Sequence, residues 1–112
     1  MSVDKAEFRR ALGHFAAGVT VLTSGFGDQI AGITVTAFTS LSLEPPLVLA
    51  CIDKRAHIHD RLQVGGNFAI NMLRDDQEIV SRRFASSQGD QFHEIGYKLG
   101  PTGAPLIADA IA

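Results

Sequence analysis

Ile30–Cys51 reads IAGITVTAFTSLSLEPPLVLAC, and the fold follows from how this stretch is read. Ile33, Val35 and Ala37 alternate with Thr34, Thr36 and Phe38, the period-two pattern of a half-buried strand. A hydroxyl-rich turn is expected next, over Thr39, Ser40, Leu41 and Ser42. Pro45-Pro46 forbids helix and hands over to the apolar run Leu47–Ile52, which reads as a buried strand. Strand, polar loop and strand are followed at once by Lys54 and Arg55. Hydroxyls and backbone N–H groups in a turn, with a cation close by, can hold a phosphate group.

Outward from this centre, Val19–Ser24 is β-branched and strand-like, and Gly25–Gln29 is a turn by composition. Together they predict an antiparallel hairpin with the strand that starts at Ile30. Gly32 interrupts that strand, marking either a bulge or a close approach by something flat. Further out, Asp4 and Glu7 resemble a capping box, and Phe8, Leu12 and Phe15 recur on one face of a helix of roughly three turns, ended by Gly18. Arg9, Arg10 and His14 read as its solvated face.

Downstream, Asp53 opens an expected short helix to about Val64, with Ile58 and Leu62 turned inward and Gly65-Gly66 ending it. Phe68–Leu73 is a strand in which Asn71 needs a partner, either backbone or the N- and O-rich edge of a ligand. Asp75–Glu78 is an acidic first turn for a second helix carrying Arg82, Arg83 and Phe84. Ser86–Asp90 reads as a loop, Tyr97–Leu99 as a short strand, and Leu106-Ile107 as the start of another. The predicted class is β-rich α+β. Short spacing within the first hairpin argues against a doubly wound parallel sheet.

The bulk numbers bound the function. The 112 residues suit one domain with a modest core, at 46% hydrophobic and 20% charged. A net charge of −2 without long charge runs argues against nucleic acid or an anionic membrane as partner. The lone Cys51 excludes an internal disulfide and reads as buried packing, which suggests a reducing, cytoplasmic setting. The charged, amphipathic stretch MSVDKAEFRR does not read as a signal peptide, and no apolar run approaches the ~20 residues needed to span a bilayer. His57 and His59 would lie about 200° apart on a helix, so no metal site is expected there. G-x-G-x-x-G and G-x-x-x-x-G-K-[ST] are both absent, leaving Rossmann and P-loop sites unsupported.

The ordered series FRRALGHFAAGVTVLT, GITVTAFTSLSLEPPLVLAC, FAINML, RRFA and GPTGAPL resembles the short-chain flavin reductases, of the flavin-reductase-like family. The resemblance covers nearly the whole chain. It implies an antiparallel split β-barrel with flanking short helices, a homodimer, and FMN or FAD bound with NADH or NADPH as hydride donor. It further implies a reductase component that serves a separate monooxygenase. On this resemblance Thr34, Val35 and Thr36 line the flavin ring, while Thr39, Ser40 and Ser42 lie near the ribityl chain and phosphate. Asp53, Lys54 and Arg55 form the phosphate loop, with Lys54 as its cation. Asn71, Arg83 and Phe84 match segments near the flavin or the subunit boundary. No side chain is required as nucleophile or general base.

Two departures from the family pattern stand out. Arg55 and Ala56 replace the small hydroxyl residues usual after the D-K pair, and no G-D-H-type segment is present. Residues 1–112 are therefore expected to be similar to the first two-thirds of such a domain, an incomplete barrel. A non-catalytic flavin-binding or electron-carrying protein and a flavin-free structural domain are the alternative readings.

Overall fold

The structure, a computed structural model, describes residues 4–13, 18–26, 29–62, 66–86 and 90–112. Asp4 opens the first helix, α1 (Lys5–Gly13), by accepting the Glu7 N–H at 2.9 Å. Phe8 is exposed. The remainder of the expected helix falls on residues 14–17, outside the described residues, as does Val64-Gly65 at the end of the expected second segment.

Strand β1 (Thr20–Phe26) is the centre of the molecule. It lies between β2 (Gln29–Val35) and β5 (Ala69–Met72), antiparallel to both. Thr20, Val21, Leu22, Thr23 and Ser24 are all buried, because both faces of this sheet are covered. Val21 faces a cluster with Leu73, Phe84, Phe92 and Ile107. Leu22 faces the opposite cluster with Ala31, Val35 and Ile58. The buried hydroxyls are satisfied by carbonyls: Thr20 Oγ1 donates to Val35 O, Thr23 Oγ1 to Pro105 O and Ser24 Oγ to Asn67 O, each at 2.6 Å. Polar residues thus occur in a central strand at no cost in unmet hydrogen bonds.

The stretch that begins at Ile30 departs from its sequence reading in three ways. The strand expected over Ile30–Phe38 breaks at Thr36-Ala37, where the Phe38 N–H turns back to Thr36 O at 3.0 Å. That kink resets the alternation, so Val35 and Phe38 both pack on the Leu22 cluster. Thr39–Ser42 is consequently a strand rather than a turn. It forms β3 (Phe38–Ser42), paired with β4 (Leu47–Ala50) through a bulge between Ser40 and Ser42. The turn lies at 43–46, where the Glu44–Pro45 peptide is cis. Thirdly, Leu47, Val48 and Leu49 are exposed, and so is Cys51. Pairing with β3 satisfies the backbone of β4, but no described element covers these side chains.

Beyond Asp53 the expected helix is replaced by turns and a 3₁₀ segment at His59–Arg61, yet Ile58 is fully buried and Leu62 partly so, as the pattern required. Helix α2 (Glu78–Ala85) lies against β2 and buries Phe84. Strands β6 (Tyr97–Leu99) and β7 (Pro105–Ile107) form an antiparallel pair, and β7 packs against the first sheet. All pairings are antiparallel, and among the described residues the three sheets do not close into a barrel. Among those residues, no helix is long and apolar enough to cross a membrane.

Candidate functional site

Strand β2 ends its sheet, so alternate backbone N–H and C=O groups point away from β1. Gly32 is opposite Thr23, and its outward N–H donates to Gln91 Oε1 at 3.3 Å. The same alternation places the outward groups of Ile30 and Thr34 on that edge. Against it opens a cleft of about 660 Å³, within the usual range for small-molecule sites. Ile33, Ala56, Phe84 and Ala85 make an apolar wall. Asp53, Arg55, His57, Ser86 and Gln91 supply the polar side.

Gly32 is what allows Phe84 to close the inner wall. A Cβ at this position would lie 2.7 Å from two atoms of the Phe84 ring. The register through Gly32 is continuous, so the glycine marks close approach by a flat group, and that group is Phe84. Phe84 is held in turn by an edge-on contact with Phe92, ring centroids 4.9 Å apart.

The loop after β4 carries the charge. Asp53 Oδ1 accepts the Arg55 N–H at 2.8 Å, and its carboxylate pairs with the Arg55 guanidinium at 2.9 and 3.2 Å. The side-chain hydrogen bond from Arg55, helped by its backbone N–H, lowers the Asp53 carboxyl from 3.8 to about 2. Asp53 in return holds the Arg55 guanidinium above its ordinary range. Lys54 is exposed in the same turn. With Asp53 and Arg55 offsetting each other, Lys54 leaves the loop net positive.

Of the residues singled out in the sequence, Asp53, Arg55 and Phe84 meet at this cleft. Thr34 stands beside it, but its hydroxyl donates to Ser81 O of α2 at 2.6 Å. Val35 is in the core, and Thr36 is exposed at the kink. Thr39, Ser40 and Ser42 lie on β3 and are not among the residues lining the cleft. Arg83 Nη1 donates to His93 O. Asn71 is buried and committed to the protein: its Nδ2 donates to Val21 O at 3.0 Å and Thr23 Oγ1 at 3.2 Å, while its Oδ1 accepts the Ile107 N–H at 2.8 Å.

Gln91 escaped the sequence reading. Nearly buried, it donates through Nε2 to Ser86 O at 2.8 Å while accepting from Gly32, so it ties α2's end to the edge of β2. A lone Gln after a polar loop carries no local signal for this. His57, whose spacing from His59 is unsuited to a metal, lines the cleft. Among the described residues no group of three or more His, Cys, Asp or Glu is placed to hold a metal ion.

The family model described as "Flavin reductase like domain" matches residues 12–112. The chain belongs to the flavin-reductase-like family. It is 45% identical to an NADH-dependent FAD reductase of Streptomyces globisporus, over 97% of this chain and 62% of that protein. It is 37% identical to the reductase subunit HsaB of a flavin-dependent monooxygenase from Mycobacterium tuberculosis, over 98% of this chain and 59% of that subunit. The chain thus spans about three-fifths of the length of these relatives. In three dimensions it resembles the S. globisporus NADH:FAD oxidoreductase SgcE6 in complex with NAD and FAD fragments. The TM-score is 0.87 at 46% identity, covering 96% of this chain and 66% of that one.

The cleft suits a flavin by its donor set. A flat heteroaromatic ring requires one apolar face and an edge of backbone donors, which Phe84, Ile33 and the outer edge of β2 provide. An anionic tail requires a cation, and Arg55 lines the cleft with Lys54 beside it in the same exposed turn.

Proposed function

We propose that this chain is a flavin:NAD(P)H oxidoreductase, reducing FMN or FAD at the expense of a nicotinamide, as the reductase component of a two-component flavin-dependent monooxygenase. Residues 1–112 act in this reading as one flavin-reductase-like unit. The observation that carries it is the cleft beside β2, apolar on one side and cationic at the loop after β4. The names of the S. globisporus and M. tuberculosis relatives support the direction of the chemistry.

A bound flavin supplies a ring that accepts a hydride, and the protein's share is position and electrostatics. Phe84 and Ile33 offer dispersion contact and keep water from one ring face. The outward N–H groups on the edge of β2 donate to the polar rim of the ring. Lys54 balances phosphate charge, and Arg55 joins it while retaining one hydrogen bond to Asp53. No cleft residue need exchange a proton with the reacting atoms.

A homodimer in the cytoplasm completes the proposal. Leu41, Leu43, Leu47, Val48 and Leu49 of the β3–β4 hairpin are exposed together, Leu43 at 91%, and an apolar face of this kind is suited to a second copy. Fluorescence titration of FMN and FAD into the chain tests the site, followed by NADH oxidation with and without flavin. Saturable binding with flavin-dependent oxidation is expected. Binding without oxidation would make the protein a flavin carrier, and absence of binding would remove the flavin reading.

A further inference from the structure

The middle of the β2 edge is not bare backbone. The outward N–H of Gly32 is already taken by Gln91 Oε1 at 3.3 Å, and Gln91 Nε2 donates to Ser86 O at 2.8 Å. A ligand lying along this edge therefore meets the Gln91 amide at the point where the strand would otherwise present its own N–H.

That amide is fixed before any ligand arrives. Gln91 lines the cleft yet is only 8% exposed, with β2 holding its oxygen and the end of α2 holding its nitrogen. A long polar side chain ordinarily loses rotamer freedom on binding, and here the fold has already removed it. The other polar side chains of the cleft differ. Asp53, Arg55 and His57 are exposed, and the first two are committed to each other.

Gln91 also has capacity left over. A primary amide carries two donor hydrogens and two acceptor lone pairs. Among the described residues, Gln91 spends one donor on Ser86 and one acceptor on Gly32. One hydrogen and one lone pair remain for a ligand. Their complement is an imide edge, a ring N–H flanked by carbonyls. The N–H would donate to Oε1, and a carbonyl would accept from Nε2. An imide edge is what the pyrimidine end of a flavin ring presents, while its far end is apolar.

We infer that Gln91 is a specificity-determining contact of this cleft: its amide, fixed by Gly32 and Ser86, reads the imide edge of the flavin ring and selects rings that carry it. The inference rests on the flavin reading of the cleft. It also gives the ring a direction, with the pyrimidine end against Gln91.

FMN and N3-methyl-FMN, in which a methyl group replaces the imide hydrogen, are titrated into the chain and into Gln91→Met, an apolar side chain of similar length. The parent should bind FMN roughly tenfold or more tightly than the methylated ring. In Gln91→Met the two ligands should bind alike, with FMN weakened by a similar factor. A merely structural role for Gln91 would lower both affinities and keep their ratio. A preference for FMN that survives in Gln91→Met, or that is absent from the parent, overturns the inference. Gln91→Met leaves the Gly32 N–H without its acceptor, so the parent is also read alone. By NMR, the Gln91 Nε2 hydrogens should exchange with solvent more slowly at saturating FMN than at saturating N3-methyl-FMN. Equal exchange in the two complexes overturns the inference and leaves the flavin reading standing. FMN that does not bind the parent at all overturns both.

Discussion

Gly32→Ala isolates the contact that shapes the cleft. The new methyl carbon would stand 2.7 Å from Cδ1 and Cε1 of Phe84, far inside van der Waals contact. The ring has little room to retreat: Phe84 is 1% exposed and is braced by Phe92. Inserting a carbon into such a site costs about 1–3 kcal/mol. Replacing glycine also narrows the unfolded ensemble, which favours folding by about 0.4–1 kcal/mol. The steric term is the larger, so a net loss of about 1–2 kcal/mol is expected. Urea denaturation reads this as a lower midpoint at unchanged slope. The double variant Gly32→Ala/Phe84→Leu should lose less than the sum of the two single changes, because the smaller side chain vacates the space the methyl needs. FMN affinity should fall in Gly32→Ala alone, as the displaced ring narrows the cleft. A Gly32→Ala protein as stable as the parent, or strictly additive single effects, would refute this account of the wall.

Four further outcomes follow from the same contacts. Lys54→Ala should weaken FMN more than riboflavin, since only FMN carries the phosphate; equal losses in a fluorescence titration would remove Lys54 from that role. The Asp53 carboxyl is depressed to about 2, so the Arg55–Asp53 pair is fully formed at pH values above the ordinary carboxylate range and is lost as pH falls through about 2. An NMR titration of Asp53 should show that midpoint, and Arg55→Ala should return it toward 3.8. Asn71→Leu leaves the buried Ile107 N–H without its acceptor and should cost about 1–3 kcal/mol in denaturant melts. Leu49→Lys should change monomer stability by less than about 0.5 kcal/mol, because Leu49 is exposed, yet shift sedimentation toward the monomer if the hairpin forms the dimer contact.

Much of the fold was legible because it is written in short windows. The alternation of Ile33 and Val35 with Thr34 and the inward pair Ile58 and Leu62 each describe a local surface that only one packing direction satisfies. Antiparallel pairing followed from the hairpin spacing, and the ordered motifs identified the family. The acidic start of the first helix was equally local, since the Asp4 cap reaches only three residues. At the site, Asp53, Arg55 and Phe84, singled out from motifs rather than from any window of their own, line one cleft.

What the tertiary structure alone decided involves partners far apart in the chain. Asn71 could have faced a ligand or a backbone; its contacts with Val21 and Ile107 lie 50 and 36 residues away. Gln91 meets Gly32 across 59 residues, and the Thr34 hydroxyl meets Ser81 across 47. The kink at Thr36-Ala37 moved Thr39, Ser40 and Ser42 from an expected turn onto β3, because keeping both Val35 and Phe38 on the core outweighs unbroken alternation. Likewise Leu47–Leu49 is apolar enough for a buried strand, but burial requires a neighbour as well as composition. By itself the sequence determined the first hairpin, the strand that carries Asn71, the helix that carries Phe84 and the family they compose, since those depend on periodicity and motifs within a few residues. Which polar groups are free to meet a ligand depends on hydrogen bonds closed by distant segments, and only the folded arrangement settles that.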